Sequence, residues 1–562
     1  MSVDISRLRV DIGRAAVVDD VTMHIGAGER VGLVGTSGSG KSMIARAMLG
    51  LLPLDARASG HIRYGDDGAG DDGSDGSGLG VDALACGEET MADLRGRYVS
   101  TVFQDPATTL SPVLTALQQV TLPLRRHYRM TRGEYAERGM AALQRVGLDP
   151  MLADHLPHQL SGGQRQRVAI ATAIVTSPRL LIADEPTTAL DAIAQREIVD
   201  LLVGLVDESG AAMLFITHDF SVLARATRRC YVMRSGRMVE AGDTSSLLGA
   251  PQCEYTRHLV DAAERLTLHG AGATAPGADR AAIRAMREPM MRGTEREARP
   301  DSVDESPLLE VSHVVRCFGR GEGSRAALRG VSMRVDKGRC LAVIGGSGSG
   351  KTTLAHLLLG LQRADAGAVR YRGALVQGRR SPGYRLLRGE SSVVFQNPYA
   401  SLDPRWDVER LVAEPLMVRL HGKRIDADDR RDMVVGALTQ AGLDPASVWG
   451  RRPARLSGGQ AQRVAIARAI VTQPKLIVAD EPMSAIDVAA RLQVVHTFAA
   501  IRDARPDAAI VIVSHDLGVV QHLADDVLVL HDGTVVEQGP TDRILQDPQH
   551  PYTRELVRAA SW

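Results

Sequence analysis

Two glycine-rich segments, each closed by a lysine and a hydroxyl residue, stand at corresponding places in the two halves of the chain. The first reads Gly-Thr-Ser-Gly-Ser-Gly-Lys-Ser at 35–42, and the second reads Gly-Gly-Ser-Gly-Ser-Gly-Lys-Thr at 345–352. Glycines let successive backbone N–H groups point inward at a helix N-terminus, which forms a nest for phosphate oxygens. The lysine adds a positive charge on the β and γ phosphates, and the hydroxyl is a ligand for Mg²⁺. We therefore predict a nucleotide site in each half, formed by Gly35, Ser37, Gly38, Gly40, Lys41 and Ser42 in the first, and by Gly345, Ser347, Gly348, Gly350, Lys351 and Thr352 in the second.

An Asp-Glu-Pro triplet follows an apolar run in each half. A carboxylate at the end of a buried strand is costly unless the protein uses it. We expect Asp184 and Asp480 to hold the hydration shell of Mg²⁺. Glu185 and Glu481 are then placed to accept a proton from the attacking water, or to orient it. The plainer alternative for the triplet is a helix cap after the strand.

A glutamine and a histidine complete each set. Gln104 and Gln396 stand in matching Val-Phe-Gln-(Asp/Asn)-Pro segments, and a neutral amide can contact the metal or the water without adding charge. His218 and His515 follow the last core strand, where an imidazole can donate a hydrogen bond to the γ-phosphate. Taken singly, these are an ordinary turn residue and an ordinary structural histidine. Their paired placement in both halves favours the functional interpretation.

The sequence Leu-Ser-Gly-Gly-Gln also occurs once in each half, at 160–164 and at 456–460. We predict that its serine caps a helix whose first turn exposes N–H groups, which bind anions. The glycine-rich segment of the same half already holds a phosphate, so we expect each signature to close on the nucleotide of the other half, in an intramolecular dimer. The predicted nucleotide contacts are Ser161, Gly162, Gly163, Gln164, Ser457, Gly458, Gly459 and Gln460.

Apolar runs separated by turn residues place these motifs on alternating strands and helices. Strands that are apolar on both faces are typical of parallel sheets covered by helices, so the sequence predicts an α/β fold. The predicted strands are 31–34, 180–183, 213–216, 341–344, 476–479 and 510–513, and the helix after the first glycine-rich segment is predicted at 42–52.

The two copies of the motif set divide the chain into a domain at 1–265, a linker at 266–306 and a domain at 307–562. The linker is rich in Ala and Gly and then in mixed charges, and 280–291 is compatible with a short helix. The first copy has extra residues at about 65–80, an acidic, glycine-rich run with almost nothing to bury. We expect this run to be a mobile surface insertion. A docking tail or a calcium loop is the alternative.

Composition excludes several classes of protein. Lys plus Arg and Asp plus Glu both number 67, and this zero formal charge argues against a nucleic-acid partner. The five cysteines form no Cys-x-x-Cys pair, so we expect neither a disulfide framework nor a zinc site, and a reducing cytosol fits. We find no secretory signal and no apolar run of about 18–20 residues that would span a bilayer. Any membrane function would therefore need other chains.

Taken together, these residues resemble the nucleotide-binding domains of ABC transporters, over nearly the whole chain except the linker and the insertion. The resemblance implies two P-loop NTPase domains that hydrolyse ATP with Mg²⁺. Each would have a parallel-sheet ATP-binding core, an antiparallel β subdomain and a helical signature subdomain, the last at about 105–165 and 397–461. It also implies D-loops at 188–191 and 484–487.

Finer features resemble the oligopeptide, dipeptide and nickel import subfamily. They are the continuations of the two glutamine segments, at 103–112 and 395–404, and a Pro-Gln-x-x-Tyr-Thr-Arg segment at 251–257 and 548–554. The subfamily implies two membrane-spanning permease subunits, an extracytoplasmic solute-binding protein, and a peripheral location on the cytoplasmic face of the membrane. The resemblance also implies that many members carry a cysteine cluster after this segment, in some cases for an iron–sulfur cluster. Here no cysteine follows Cys253 in the first half or Cys340 in the second, so we predict no iron–sulfur cluster.

The family also stacks an aromatic residue on adenine. Phe318 is the candidate in the second half, whereas the first half has no Phe, Tyr or Trp before its glycine-rich segment. We therefore predict weaker ATP binding at the Lys41 site than at the Lys351 site.

The sequence as a whole predicts the energising subunit of an importer for peptides or similar small solutes, with ATP hydrolysis at both sites. Two alternatives stay open at this point. One is a soluble tandem ABC ATPase that acts on ribosomes, and the other is the ATPase of an exporter. Nickel chelates and opine-like metallophores are the other candidate solutes.

Overall fold

The computed structural model describes residues 2–65, 80–188, 190–268, 307–319, 325–417, 425–483 and 486–561. They divide into two compact units, the first mainly Met1–Leu190 and Ala194–Glu264 and the second mainly Arg265–Ile486 and Ala490–Trp562. Most of the predicted insertion and most of the predicted linker, including 280–291, lie outside the described residues. The predicted domain limits therefore stay predictions.

Strands of the first unit form two sheets. They are β1 (Ser2–Ile12), β2 (Ala15–Ile25), β3 (Arg30–Gly35), β4 (Ala56–Gly65), β5 (Val81–Asp82), β6 (Val99–Val102), β7 (Leu180–Asp184), β8 (Ala212–Thr217), β9 (Arg229–Arg234) and β10 (Arg237–Asp243). An antiparallel sheet has the order β2-β1-β4-β5, and a larger sheet has the order β10-β9-β3-β8-β7-β6. In the larger sheet β9, β3, β8, β7 and β6 run parallel, and β10 runs antiparallel to β9.

The parallel strands carry the apolar runs that the sequence predicted. Every residue of β7 and of β8 is buried, because helices cover both faces of a parallel sheet. Residues of β1 instead alternate in part between buried and exposed, as expected where one face meets the core. The predicted strands at 31–34, 180–183 and 213–216 are thus confirmed as parts of β3, β7 and β8.

Helices of the first unit include a cluster that carries the signature. They are α1 (Lys41–Met48), α2 (Glu88–Leu94), α3 (Pro106–Thr109), α4 (Ala116–His127), α5 (Arg132–Arg145), α6 (Gly162–Ile174), α7 (Ala192–Ser209), α8 (Phe220–Ala226), α9 (Thr244–Gly249) and α10 (Glu254–Leu266). Helices α4, α5 and α6 share one apolar core through residues such as Val120, Leu143 and Val168, all fully buried.

The predicted helix at 42–52 was too long. Helix α1 ends at Met48, and Gly50 follows in the left-handed conformation with φ of 63°. The N–H of Leu51 donates to the carbonyl of Arg46 at 2.8 Å, which satisfies one of the last helical carbonyls. A left-handed glycine therefore stops this helix although apolar residues continue beyond it.

The second unit repeats the same topology. Its strands are β11 (Leu309–Phe318), β12 (Arg325–Val335), β13 (Cys340–Ile344), β14 (Ala366–Tyr371), β15 (Ala374–Leu375), β16 (Ser391–Val394), β17 (Leu476–Asp480), β18 (Ala509–Val513), β19 (Asp526–His531) and β20 (Thr534–Pro540). The antiparallel sheet has the order β12-β11-β14-β15, and the larger sheet has the order β20-β19-β13-β18-β17-β16. The strands predicted at 341–344, 476–479 and 510–513 are confirmed as parts of β13, β17 and β18.

Helices of the second unit follow the same plan as those of the first. They are α11 (Lys351–Leu358), α12 (Pro382–Glu390), α13 (Pro398–Ser401), α14 (Val408–Met417), α15 (Ala427–Gln440), α16 (Pro445–Val448), α17 (Gly458–Ile470), α18 (Val488–Ala504), α19 (Leu517–Leu523), α20 (Thr541–Gln546) and α21 (Pro551–Ala560). The predicted α/β fold, with a parallel core, an antiparallel sheet and a helical part, is confirmed in each unit. Over the described residues, none of these helices is both long and apolar enough to cross a membrane.

This topology gathers the predicted motifs at one edge of each large sheet. The glycine-rich segment begins at the end of β3, Asp184 ends β7 with Glu185 directly after it, and the histidine follows β8. Strand β8 lies between β3 and β7 and is parallel to both, so the carboxyl ends of the three strands meet. The edge at the carboxyl ends of parallel strands is where open α/β sheets bind ligands.

Candidate functional site

Each glycine-rich segment joins a buried strand to a helix through backbone conformations that favour glycine. Gly40 has φ of 102° and Gly350 has φ of 103°. A Cβ atom at Gly40 would lie 2.6 Å from the carbonyl oxygen of Val17, and one at Gly350 would lie 2.4 Å from that of Ala327. A larger residue at either position would meet both a strained φ and a backbone clash.

The lysine of each segment lies across its own loop. Lys41 Nζ donates to the carbonyl oxygens of the first two loop residues, at 2.8 and 3.0 Å, and Lys351 Nζ does the same at 2.9 and 2.8 Å. Both side chains are buried, and burial lowers the pKa of both ammonium groups. A buried cation held by neutral carbonyls is ready to pair with an anion that enters the loop.

A hydroxyl and a carboxylate meet at the start of α1 and again at the start of α11. Ser42 Oγ donates to Asp184 Oδ1 at 3.0 Å, and Thr352 Oγ1 donates to Asp480 Oδ1 at 3.4 Å. Both aspartates are buried, and burial raises the pKa of both. Hydroxyl and carboxylate oxygens are the hard donors that Mg²⁺ prefers, so this donor set fits the predicted metal.

Glu185 lies at the centre of a network in the first unit. Its Oε2 accepts from Gln104 Nε2 at 2.8 Å and from Thr188 Oγ1 at 3.1 Å, and its Oε1 lies 3.2 Å from His218 Nδ1. Burial acts to raise the pKa of Glu185, but the contact with His218 and the charge of Lys41 outweigh it and lower the pKa to about 2. The residue also has φ of 48°, an uncommon conformation for a residue with a side chain.

Glu481 repeats this arrangement in the second unit. Its Oε2 accepts from Gln396 Nε2 at 2.7 Å, its Oε1 lies 3.4 Å from His515 Nδ1, and its φ is 45°. Burial again acts to raise the pKa of Glu481, and the contact with His515 again outweighs it and lowers the pKa. The position equivalent to Thr188 is residue 484, which lies outside the described residues.

The structure therefore brings glutamine, histidine and glutamate together in both units. The sequence predicted contacts of the glutamine with metal or water, and of the histidine with the γ-phosphate. Here both side chains contact the glutamate carboxylate, an arrangement that the spacing did not reveal. The contacts with metal, water and phosphate stay predictions.

The signature serines cap their helices, as predicted. Ser161 Oγ accepts from the N–H of Gln164 at 3.2 Å, and Gln164 Oε1 accepts from the N–H of Ser161 at 2.8 Å. Ser457 and Gln460 form the same reciprocal capping box at the start of α17. The glutamine side chain thus faces its own helix terminus. The prediction that each signature closes on a nucleotide of the other half stays a prediction.

Phe318 is the last residue of β11, an interior strand of the antiparallel sheet. It is 43% exposed, and the Arg316 guanidinium lies 4.9 Å from the centre of its ring. The strand pairing identifies its counterpart in the first unit as Ile12, because each is the last paired residue of its strand. An apolar but non-aromatic side chain occupies that position in the first unit.

Two tyrosines contact the glycine-rich loops, a role that their sequence context did not predict. The hydroxyl of Tyr552 accepts from the N–H of Gly346 at 2.6 Å, and the hydroxyl of Tyr255 lies 3.1 Å from Thr36 Oγ1. Both belong to the recurring Pro-Gln-x-x-Tyr-Thr-Arg segment. That repetition was the available signal, but nothing local connects it with a loop some 200 residues earlier.

Comparison with known families decides the class of the protein. Residues 18–188 and 328–484 match the ABC transporter family. The chain belongs to the ABC transporter family of ATP-binding subunits. Residues 536–561 of this ABC ATPase also match the C-terminal region of oligopeptide/dipeptide transporters. The predicted family and enzyme class are confirmed.

Similar proteins match this ABC ATPase over almost its whole length. The peptidoglycan transport ATP-binding protein YejF of Agrobacterium fabrum is 38% identical, over 97% of this chain and 93% of its own. The oligopeptide transport ATP-binding protein OppD of Mycobacterium tuberculosis is 35% identical, over 98% and 96%. The glutathione import ATP-binding protein GsiA of Escherichia coli is 36% identical, over 98% and 87%. Among solved structures, the ATP-binding cassette MJ0796 with ADP and phosphate matches 42% of this chain and 99% of its own, with 26% identity and a TM-score of 0.38.

Proposed function

We propose that this chain is the ATP-hydrolysing subunit of an importer for di- and oligopeptides. The observation that carries the proposal is the match of 536–561 to the oligopeptide/dipeptide transporter region, on a chain that also has two ABC matches. The names of the similar proteins, which refer to oligopeptide, peptidoglycan and glutathione transport, support it. None of the similar proteins described above is named for a role on ribosomes or in export.

The proposal includes partners. Two permease subunits would form the membrane path, and an extracytoplasmic solute-binding protein would deliver the peptide. The chain would then lie peripherally on the cytoplasmic face of the membrane. A nucleic-acid partner is not part of the proposal, since the formal charge of the chain is zero.

Nucleotide binding would use the loop backbone and the lysine of each unit. Successive N–H groups at the start of α1 and α11 would hold phosphate oxygens, with the positive end of the helix dipole behind them. Lys41 and Lys351 would exchange their loop carbonyls for the β and γ phosphates. Ser42, Gln104 and Asp184, with Thr352, Gln396 and Asp480, would hold Mg²⁺ and its water shell. The ion neutralises charge on the phosphates when bound.

Hydrolysis would depend on Glu185 and Glu481. A low pKa keeps Glu185 ionised at neutral pH, so its carboxylate can accept a hydrogen bond or a proton from water. The neighbouring glutamine amide and the imidazole of His218 or His515 would orient that carboxylate, since they contact its two oxygens. Both units have this set, so we propose that both hydrolyse ATP. Phe318, and each signature acting on the nucleotide of the other half, complete the proposed sites.

Peptide uptake in a deletion strain tests this function. Cells without the gene should lose uptake of a labelled tripeptide, and a plasmid with the unchanged chain should restore it. A plasmid with Glu185→Gln and Glu481→Gln together should not restore uptake, although the protein is made. Uptake of free amino acids serves as the control and should stay unchanged. Normal tripeptide uptake in the deletion strain would overturn the proposal, and loss of nickel uptake alone would change the solute class.

A further inference from the structure

The Pro-Gln-x-x-Tyr-Thr-Arg segment of the second unit is held by charged groups on both sides. Glu537 on β20 accepts from the N–H groups of Gln549 and His550, at 2.9 and 3.0 Å, through its two carboxylate oxygens. The Arg554 guanidinium donates to the carbonyl oxygens of Pro548 and Gln549, at 3.1 and 2.8 Å. These bonds fix the turn that leads into α21.

The first unit builds the same turn. Glu240 on β10 accepts from the N–H groups of Gln252 and Cys253, at 2.7 and 3.2 Å, and Arg257 donates to the carbonyl of Pro251 at 3.3 Å. A recurring strand glutamate and a recurring helix arginine thus account for most of the motif. The hydroxyl of the tyrosine between them takes no part in the turn, so the recurrence of that hydroxyl needs another reason.

That tyrosine reaches the phosphate loop of its own unit. In the second unit, the Gly346 N–H donates to Tyr552 Oη at 2.6 Å, while the carbonyl of Gly346 accepts from Lys351 Nζ at 2.8 Å. Gly346 is therefore held at its N–H by the tyrosine and at its carbonyl by the loop lysine. The ring of His531 packs against Tyr552, with ring centres 3.9 Å apart. Burial raises the pKa of Tyr552 to about 12, so the hydroxyl is neutral at physiological pH.

The corresponding contact in the first unit is looser. The Thr36 N–H lies 3.4 Å from Tyr255 Oη, and the Thr36 hydroxyl lies 3.1 Å from it. A guanidinium replaces the imidazole, because Arg234 lies 4.8 Å from the centre of the Tyr255 ring. Both loops therefore contact a tyrosine, but only the second makes a short backbone bond to it.

The side chain at the second loop position explains the difference. A Cβ atom at Gly346 would lie 2.8 Å from Tyr552 Oη, closer than a normal contact. Thr36 has such a Cβ, and the backbone bond there is long. Glycine at 346 thus lets the tyrosine approach the loop.

We propose that Tyr552 and Tyr255 are positioning residues for the phosphate loops, and that Tyr552 sets ATP affinity in the second unit more strongly than Tyr255 does in the first. The proposal rests on the proposed function of these loops in binding ATP. It gives the C-terminal region that matches peptide transporters a role at the nucleotide site. By holding Gly346, this segment fixes the glycine-rich loop that ends in Lys351 before the nucleotide binds.

The test uses the full chain with one loop disabled at a time. Lys41→Ala leaves only the second loop functional, and Lys351→Ala leaves only the first loop functional. Affinity for the fluorescent analogue trinitrophenyl-ATP is then measured with and without the matching Tyr→Phe change. Tyr552→Phe should weaken binding about 3- to 10-fold, the effect of one lost hydrogen bond. Tyr255→Phe should weaken binding less than about 3-fold, because its backbone bond is already long.

Kinetics and a control separate positioning from general damage. In the chain with both loops intact, Tyr552→Phe should raise KM for ATP and change kcat less than about 2-fold, since Glu481 is untouched. Tyr135→Phe is the control, because it also removes a bonded hydroxyl. Tyr135 lies on α5, and its hydroxyl donates to the carbonyl of Tyr128 at 2.7 Å. This change should alter neither KM nor kcat. Unchanged affinity and KM in Tyr552→Phe would overturn the proposal.

A second variant keeps the test independent of folding. The φ of Gly346 is not positive, so alanine is compatible with its backbone, but its Cβ would crowd the Tyr552 hydroxyl. Gly346→Ala should weaken binding as Tyr552→Phe does, and the double variant should be no weaker than either single one. Fully additive effects would contradict the proposal. If analogue binding survives loss of both lysines, the proposed function of the loops fails instead, whatever the tyrosine variants do.

Discussion

The two units hold Glu185 and Glu481 almost identically but differ beside their glycine-rich loops. Gln104 and Gln396 donate to the glutamate at 2.8 and 2.7 Å, and the histidine contacts measure 3.2 and 3.4 Å. Even the positive φ of the glutamate is kept, at 48° and 45°. Such close agreement in strained backbone and in buried contacts is expected where the geometry itself is needed.

Residues around the loops do not agree in this way. Ile12 stands where the second unit has Phe318, Thr36 where it has Gly346, and Arg234 where it has His531. By the proposals above, these side chains would affect the affinity for ATP rather than its hydrolysis. We therefore expect the two sites to be alike in hydrolysis and to differ in their affinity for ATP.

The largest expected effect tests the shared part. Glu185→Gln and Glu481→Gln together should lower the steady-state ATPase rate at least about 100-fold, because both general bases are lost. Each change alone should lower the rate clearly, since both units have the glutamine, histidine and glutamate contacts. A single variant with an unchanged rate would show that its unit does not hydrolyse ATP. Glu208→Gln, which changes an exposed partner of Arg145, is the control and should have no effect.

Adenine stacking sharpens the difference between the units. Base–aromatic stacking contributes about 1–3 kcal/mol, so Phe318→Ala should weaken ATP binding about tenfold or more when only the second loop is functional. Ile12→Phe should strengthen binding when only the first loop is functional. Competition of ATP against trinitrophenyl-ATP measures both. Equal ATP affinity in the Lys41→Ala and Lys351→Ala chains would refute the predicted asymmetry. Ile12→Ala, measured when only the first loop is functional, is the matched control for Phe318→Ala.

Glu240 on β10 and Glu537 on β20 test the same asymmetry through a smaller expected effect. Glu537→Ala removes the acceptor for two backbone N–H groups and should raise KM for ATP severalfold, because Tyr552 loses its fixed position. Glu240→Ala should raise KM less, because the tyrosine bond that it supports is weaker. Steady-state kinetics in chains with both loops intact provide the measurement. A larger effect from Glu240→Ala would reverse the comparison.

The smallest effect concerns the signature caps, which are the same in both units. Ser161→Ala and Ser457→Ala should each destabilise their own unit by about 1 kcal/mol, the usual cost of losing a serine cap. Asparagine at either position retains a cap and should restore most of that stability. Thermal unfolding of the full chain checks this, and clearly unequal losses would mean that the two caps are not equivalent.

Local chemistry made much of the fold and of the candidate site predictable. Glycine-rich loops, apolar strands and acidic strand ends act within a few residues, so their spacing was enough to predict β3, β7, β8 and their counterparts. The end of α1 was missed because Leu51 and Leu52 continue the apolar run, while the left-handed Gly50 ends the helix. Serine caps were predictable because a cap and its partner lie three residues apart.

Contacts between distant parts of the chain were not predictable in this way. Nothing in the sequence near 346 or 552 shows that a hydroxyl and an N–H group lie 2.6 Å apart. The convergence of Gln104 and His218 on Glu185 likewise depends on which strands are neighbours in the sheet.

The sequence by itself determined that two nucleotide-binding cassettes are present, and it predicted which residues carry their chemistry, because each motif is a short run with its own backbone preference. Only the tertiary structure decided that the glutamine and the histidine contact the glutamate, and that a tyrosine near the end of each unit contacts its loop. These contacts join residues that are brought together by sheet order and helix packing. Distances of that kind are a property of the folded chain, and local spacing does not contain them.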